Sequence, residues 1–543
     1  MRISYYFSTL VLLSFLAIPK FADCQEWIKI FSSNNYQTVS YQLLEDYDKG
    51  IIIGANLSFG TIMKIGWIIK TDINGNILWE KRLGNGARQW GVIGIDKTPD
   101  GGVIVAGACD TLDNGWGDPF VVKLSACGEI EWCRVFNNVN DYDFGCKIKT
   151  LPDNSYIFLV KDWGEEFNSV WLMHLNVNGG IIWEQEYFLS DTLVVPYADN
   201  DLYLTSDGNY LVTGTCYRPI SGQVQPYWLW PMMILADSTG EAVWETAWGY
   251  TLPFPEQVGG EGFQSVQTES GYYTCISNYH GQAPNYAPCL IKTSPSGEPV
   301  SFHDLIPNTA FGKASTINKL SDSVLFIGAW YKIPTVPPNL SVLKTDTLGN
   351  IIAEKVLNHK DYIPRDAIVT HDNKYLITAV DIVSNKYIFY LWKLNQDLGY
   401  DTVYTQPMVY DSLCPHAITN STLYFNCDLA VGTGEQGITT EKVRMKVYPN
   451  PGHRIVHVKM PERIQKQAET EHFKVITTFH QWHKNLEFEV YDIFGKRVYK
   501  RIIIPLEKEF QIDVSAWKSG MYLFRLSYGG TMVADEKVIV NSY

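Results

Sequence analysis

One unit recurs seven times along this chain, and no other feature restricts the fold as strongly. The unit is an apolar run ending in Gly, a variable loop, an apolar run ending in Lys-x-Asp or similar, a Gly turn, and an apolar run with Trp. One copy joins Gly50-Ile51-Ile52-Ile53-Gly54 to Trp67-Ile68-Ile69-Lys70-Thr71-Asp72-Ile73-Asn74-Gly75-Asn76-Ile77-Leu78-Trp79. Another joins Gly102-Val103-Ile104-Val105-Ala106-Gly107 to Phe120-Val121-Val122-Lys123-Leu124 and Gly128-Glu129-Ile130-Glu131-Trp132. Later copies pivot on Gly179-Gly180 before Trp183, Gly240 before Trp244, Gly297, Gly349 and Gly399. The period is roughly 50 to 60 residues, the range of kelch-type repeats.

Each run is short, β-branched and bounded by Gly, Asn or Asp, so each reads as a strand. Asp72-Ile73-Asn74-Gly75 offers the positive-φ residue that a tight hairpin needs. A further strand, Gly94 to Thr98, precedes the turn Pro99-Asp100-Gly101-Gly102. About four strands per unit make one propeller blade. A lone four-stranded sheet leaves its faces wet, whereas seven packed around an axis bury them. The expected fold is all-β: a seven-bladed β-propeller over residues 25–410, then a small Ig-like β-sandwich. A solenoid would have a shorter period, and sandwiches do not repeat a Gly pivot seven times. Glu26-Trp27-Ile28-Lys29-Ile30-Phe31 resembles the last strand of a unit and is expected to close the ring. Asp401-Thr402-Val403-Tyr404 competes for that place, and the sequence does not choose between them.

A hydrophobic content of 46% with 19% charged residues marks a core-forming chain. Its 33 Tyr and 17 Trp suit β-structure and surfaces that stack on sugars or peptides. A net charge of −14 argues against nucleic acid as a partner. Val443 to Tyr543 holds 16 Lys/Arg and 11 Asp/Glu, or +5, which leaves −19 on the rest and points to two separate units.

The N-terminus has the form of a secretory signal peptide: Arg2, an apolar stretch Phe7 to Ile18, and Ala22 and Cys24 ahead of a cut before Gln25. A cut after Ala22 is the second option. Asp23 disfavours a lipoprotein reading through Cys24. Residues 1–24 are assigned to the signal, and no other segment is apolar enough to span a membrane. Ten cysteines in an exported chain suggest disulfides. Cys275 with Cys289 and Cys414 with Cys427 are the expected pairs, with Cys127–Cys133 a third candidate.

After a linker at 411–442, rich in Gly and Thr near its middle, about seven short alternating strands fill residues 443–543, a density that fits an Ig-like sandwich. This segment carries Tyr448-Pro449-Asn450-Pro451, an Asp-x-x-Gly turn at Asp492 and Gly495, Gly-x-Tyr at Gly520 and Tyr522, and Lys537-Val538-Ile539-Val540. Taken in order, these motifs resemble the type A C-terminal sorting domain of the type IX secretion system of Bacteroidota. The resemblance implies passage through the periplasm, recognition by an outer-membrane translocon, removal of the domain by a cysteine-peptidase sortase, and a passenger left secreted or attached to the cell surface. The chain departs from the pattern by an insertion, about Pro461 to Lys484, that holds His472, His480 and His483.

No nucleophile elbow, zinc-protease helix or phosphate loop is present, so no catalytic residue is assigned. His480-Gln481-Trp482-His483 lacks a suitably placed carboxylate and reads as solvated loop, so no metal site is assigned. Asp110, Asp113, Asn114 and Asp118 share one loop and could hold Ca²⁺, although Asp and Asn are ordinary loop residues too. Asp162, Glu165, Glu166 and Asp381 could pair for glycoside hydrolysis if the fold brought two of them together. Alternating strand direction sends the loop after the second strand, and the link to the next blade, to one face. These segments carry Trp90, Trp116, Tyr142, Trp163, Tyr217, Tyr227, Trp228, Trp230, Tyr279, Tyr286, Trp330 and Tyr331. From them Trp116, Trp163, Tyr217, Trp228, Tyr279 and Trp330 are the expected ligand-binding set; packing between blades is the competing role. The expected function is non-enzymatic binding of a glycan or an extracellular protein. A propeller hydrolase or polysaccharide lyase is the alternative, and a structural surface component the third reading.

Overall fold

The computed structural model describes the chain apart from residues 1–26, 60–62, 85–89, 111–116, 137–141, 164–167, 188–200, 220–226, 249–258, 280–285, 307–310, 335–336, 361, 384–385, 426, 430–445, 460–485, 493–495, 504–508, 529–530 and 542–543. The signal-peptide assignment and the His-bearing insertion therefore lie outside the described residues.

The strands come in groups of four. After β1 (Ile28–Phe31), blade 1 is β2 (Gln37–Glu45), β3 (Ile51–Phe59), β4 (Met63–Thr71) and β5 (Ile77–Leu83). Blade 2 is β6 (Trp90–Lys97), β7 (Val103–Cys109), β8 (Asp118–Leu124) and β9 (Ile130–Val135). Blade 3 is β10 (Tyr142–Thr150), β11 (Tyr156–Trp163), β12 (Asn168–Leu175) and β13 (Ile181–Tyr187). Blade 4 is β14 (Asp201–Leu204), β15 (Tyr210–Pro219), β16 (Tyr227–Ala236) and β17 (Ala242–Ala247). Blade 5 is β18 (Gly260–Thr268), β19 (Gly271–Tyr279), β20 (Tyr286–Thr293) and β21 (Pro299–Asp304). Blade 6 is β22 (Phe311–Ser321), β23 (Val324–Lys332), β24 (Asn339–Asp346) and β25 (Ile351–Asn358). Blade 7 is β26 (Tyr362–Val369), β27 (Tyr375–Val383) and β28 (Lys386–Leu394), and β1 pairs with β28 as its fourth strand. The N-terminal run thus closes the ring. Trp27 and Phe31 are buried at the seam, and Phe31 stacks on Phe389 at 4.8 Å. The first strands of the blades neighbour one another around the whole ring and line its axis.

The repeated Gly and Trp of the sequence are partners in space. Blades 1 to 6 turn from the third to the fourth strand through the same four-residue bend, opened by Asp72, Ser125, Asn176, Asp237, Ser294 or Asp346, and the same bend, opened by Asn395, follows the third strand of blade 7. The opening side chain accepts an amide hydrogen bond from within the turn: Asp346 Oδ1 takes Leu348 N at 2.9 Å and Asn350 N at 2.8 Å. The pivot glycine has positive φ, as in Gly240 at +88°. It also has no room for a Cβ, because Trp183 of the preceding blade lies where one would go. Gly179 sits against Trp132 and Gly297 against Trp244 in the same way. Blade 7 differs: its positive-φ residue is Leu398, one place before Gly399.

Two expectations about the region after the ring are corrected. The stretch from 411, read as linker, first forms a strap over the outer edges of blades 1 and 2. Its strands β29 (Ser421–Leu423) and β30 (Asp428–Leu429) pair in parallel with β5 and β9. Asp411 joins Asp46 and Asp48 around the buried Lys70 ammonium, at 2.8, 2.7 and 2.6 Å. Phe425 packs on Trp90 at 4.8 Å. Cys414 and Cys427 are oxidised, but to blade 2 and not to each other: the bridges are Cys127–Cys414 and Cys133–Cys427. The strap runs past one blade edge to the next, so each cysteine meets the blade residue beside it. Cys275 and Cys289 remain free thiols. Register explains this, because Cys275 faces Leu290 while Cys289 faces Ile276. An offset of one residue sends the two thiols to opposite faces of the sheet.

The second compact unit begins at Gly434. It stacks a three-stranded sheet, β31 (Lys446–Tyr448), β32 (Ile455–Lys459) and β35 (Glu509–Asp513), on a four-stranded one. The latter comprises β33 (Leu486–Asp492), β34 (Arg497–Ile503), β36 (Gly520–Tyr528) and β37 (Thr531–Val540), in the order β34-β33-β36-β37. Val456, Phe488, Val490, Ile512, Phe524 and Val538 fill the space between them. This is the expected Ig-like sandwich.

Candidate functional site at the propeller axis

The two faces of the ring are built differently. On one, the described first-to-second and third-to-fourth connections are tight turns. On the other, the connections are unequal: Asn358 to Tyr362 is a brief link, while Tyr187 to Asp201 and Ala247 to Gly260 are long. Uniform turns serve packing, whereas length variation concentrates where loops can meet a ligand.

At mid-height the inner strands slip by a residue. Bulges fall at Ser40/Gln42, Val92/Gly94, Gly145/Lys147, Gly262/Ser265, Ala314/Thr316 and Pro364/Asp366. A bulge re-aims side chains that a regular strand would turn into the sheet. Asp366 of blade 7 accepts Leu43 N of blade 1 at 2.7 Å and the Gln264 amide of blade 5 at 2.8 Å. Gln264 in turn accepts Ile317 N of blade 6 at 3.2 Å, so one polar group ties four blades at the axis. Burial pushes the Asp366 carboxyl above its ordinary value, against the pull of Lys147 and of these hydrogen bonds.

Towards the loop face, two cation–aromatic pairs join neighbouring inner strands. Lys313 of blade 6 lies over Phe263 of blade 5 at 5.1 Å, and Arg365 of blade 7 over Tyr41 of blade 1 at 5.7 Å. Trp330 stands directly opposite Lys313 in register. Its ring is half-buried, and its indole N–H is buried with no acceptor. An unmet buried donor costs free energy that a ligand oxygen could recover.

The expected binding residues are placed as follows. Trp163, Tyr217, Tyr279 and Trp330 lie at or near the ends of second strands, and Trp228 near the start of a third, all on the loop side. Trp116 lies outside the described residues, as do the side chains of Trp163, Tyr217, Trp228 and Tyr279. Trp90, Trp230 and Tyr331 of the wider aromatic set are buried between strands or blades. Asp381 is buried opposite Tyr362, while Glu165, Glu166, Asp113 and Asn114 fall outside the described residues. Tyr41, Phe263, Lys313 and Arg365 were not anticipated. For Tyr41, Phe263 and Arg365 the signal is the bulge, and bulges do not show in the periodicity of one strand.

In the second unit the sorting motifs meet. The Asn450 amide donates to Lys537 O at 3.0 Å and its oxygen accepts Ile539 N at 2.9 Å, clamping the opening motif to β37. Asp492 Oδ1 accepts Lys496 N at 3.0 Å, and Tyr522 OH donates to Lys518 O at 2.8 Å. Gly495 lies outside the described residues.

Residues 446–541 match the family described as the secretion system C-terminal sorting domain. The chain is therefore a type IX-sorted protein with a propeller passenger, exported through the periplasm to the cell surface or beyond. No curated protein matches the sequence. Among solved structures, the chain is similar to an ulvan lyase, of a polysaccharide lyase family, bound to -[GlcA(1-4)Rha3S]-: 10% identity, 67% of this chain and 95% of that one, TM-score 0.49. It is also similar to a protein of unknown function from Dyadobacter fermentans, with 9% identity, 67% and 98% coverage and TM-score 0.40. A third is the α-L-arabinofuranosidase of Fusarium graminearum with arabinobiose, with 11% identity, 60% and 99% coverage and TM-score 0.38. Likeness at this level concerns the fold.

Proposed function

We propose that this is an exported binding protein whose propeller takes a glycan, or an extended peptide, at the loop-face mouth of its axis. The observation that carries the proposal is the group of Trp330, Lys313 and Phe263. It offers the half-buried Trp330 ring, a cation held over the buried Phe263 ring, and an unmet N–H donor, at the end where the connections vary. Aromatic faces stack on sugar rings and on peptide planes, and the indole N–H supplies a directional bond. Asp366 takes no part in binding: its two oxygens are held by Leu43 and Gln264.

The test is a glycan and polysaccharide array probed with the full chain, strap included. Saturable binding is expected, with Trp330→Ala weakening it by about tenfold, the scale of one lost stacking contact, and Lys313→Ala weakening it in the same direction. Binding that both variants retain would contradict the proposal. Incubating any polymer that binds and assaying for new reducing or unsaturated ends decides the alternative, a propeller hydrolase or lyase.

A further inference from the structure

The sorting motifs divide into side chains already occupied within the fold and one that is not. Asn450, Asp492 and Tyr522 are spent on internal hydrogen bonds. Lys537 is exposed, and among the described residues its ammonium has no hydrogen-bond or ion-pair partner. It lies on a groove on the outward face of the four-stranded sheet, whose lining includes Tyr491, Asp492, Met521, Leu523, Arg525 and Lys537. Register sets Lys537 opposite Leu523 and Ile539 opposite Met521. Met521 and Ile539 are 48% and 46% exposed, a pair of large apolar side chains held side by side in water. The Arg525 Nε is buried with no acceptor. Glu489 on the same sheet is taken by Arg497 at 2.8 Å and by the Tyr491 hydroxyl at 2.7 Å. Asp492 in the lining stands against Arg497, Lys500, Arg525 and Lys537 of a segment whose net charge is +5.

We propose that this sheet face is the surface of the sorting domain that the export machinery reads, and that the matching surface is an acidic segment bearing apolar side chains. Cations with unmet donors favour a carboxylate-rich partner, and the Met521–Ile539 pair supplies apolar contact beside them. The motifs that are conformationally occupied hold β36 and β37 in register, so that Arg525 and Lys537 project from one rigid sheet.

The test uses the full chain in a bacterium with a working type IX system, scoring exported against periplasmic protein. Arg525→Glu with Lys537→Glu is expected to cut export at least about tenfold, as loss of an interface hot spot does. Met521→Asp, at an exposed position, is expected to act in the same direction. Arg525→Lys with Lys537→Arg should preserve export, as should Lys459→Glu on the other sheet. Each purified variant is checked for the parent's unfolding temperature. Export of the charge-reversed and Met521→Asp variants at the parental level would overturn the proposal, as would an equal loss in Lys459→Glu. Docking of this face onto the acidic propeller unit, or onto a second copy, would leave export intact and change the sedimentation of the purified variants, which also overturns it.

Discussion

Single residues show where the repeat bends to local need. Six blades place glycine at the positive-φ pivot of the outer turn, and blade 7 places Leu398 there at +62°. A non-glycine residue in this conformation costs about 1 kcal/mol. Leu398 is buried among Trp392, Leu394 and Tyr375, and removing a buried leucine side chain costs about 2–5 kcal/mol. Burial outweighs strain, so Leu398→Gly is expected to destabilise the propeller by about 1–4 kcal/mol in denaturant unfolding. A gain in stability would show that strain dominates. The turn aspartates set the acid limit. Burial would raise the Asp346 carboxyl, but Asn350 and the amides of the turn more than offset this and hold it below its ordinary value. A depressed carboxylate contributes stability that is present above about pH 4 and lost as the pH falls further. Asp237 and Asp100 shift in the same direction. The melting temperature is thus expected to fall between about pH 4 and pH 2. Asp346→Asn, which keeps the acceptor and removes the charge, should flatten part of that slope.

At the scale of elements, strands were legible and long-range pairings were not. The Gly pivots and Trp runs gave the blades, because alternation and turn chemistry act within a few residues. The β1 closure was legible because Trp27-Ile28-Lys29-Ile30-Phe31 repeats the pattern of a fourth strand. The strap was hidden. Ser421–Leu423 is too brief to show a period, and its partner lies in another blade. The disulfides failed for the same reason: proximity in sequence favoured Cys414 with Cys427, whereas the bridges span 287 and 294 residues. Closing loops of that length should make each bridge worth about 2–4 kcal/mol or more. Cys414→Ser with Cys427→Ser is expected to lower the melting temperature and to expose the chain between Tyr404 and Cys427 to limited proteolysis. Unchanged melting would mean that the parallel pairing and the Lys70 cluster hold the strap without covalent help.

For the whole molecule, the division of labour follows from topology and charge. An acidic ring stands ahead of a basic sandwich, and the sandwich carries the sorting motifs. The ring has one face of uniform turns and one of unequal loops, so the proposed ligand contact lies away from the turns that serve packing. That separation could be read from strand direction alone. The proposed binding group could not, because Phe263, Tyr41 and Arg365 sit at bulges and the Lys313–Trp330 pairing depends on strand register. Trp330 was visible as a loop-face aromatic. Its unmet N–H emerges only when its neighbours are in place.

The most direct measurement is hydrogen–deuterium exchange on the full chain, with and without a saccharide or peptide that it binds. New protection is expected at the loop-side ends of β18, β22, β23 and β26, and none in the turns around Asp100, Asp237 and Asp346. Protection confined to those turns or to the strap would contradict the proposed site.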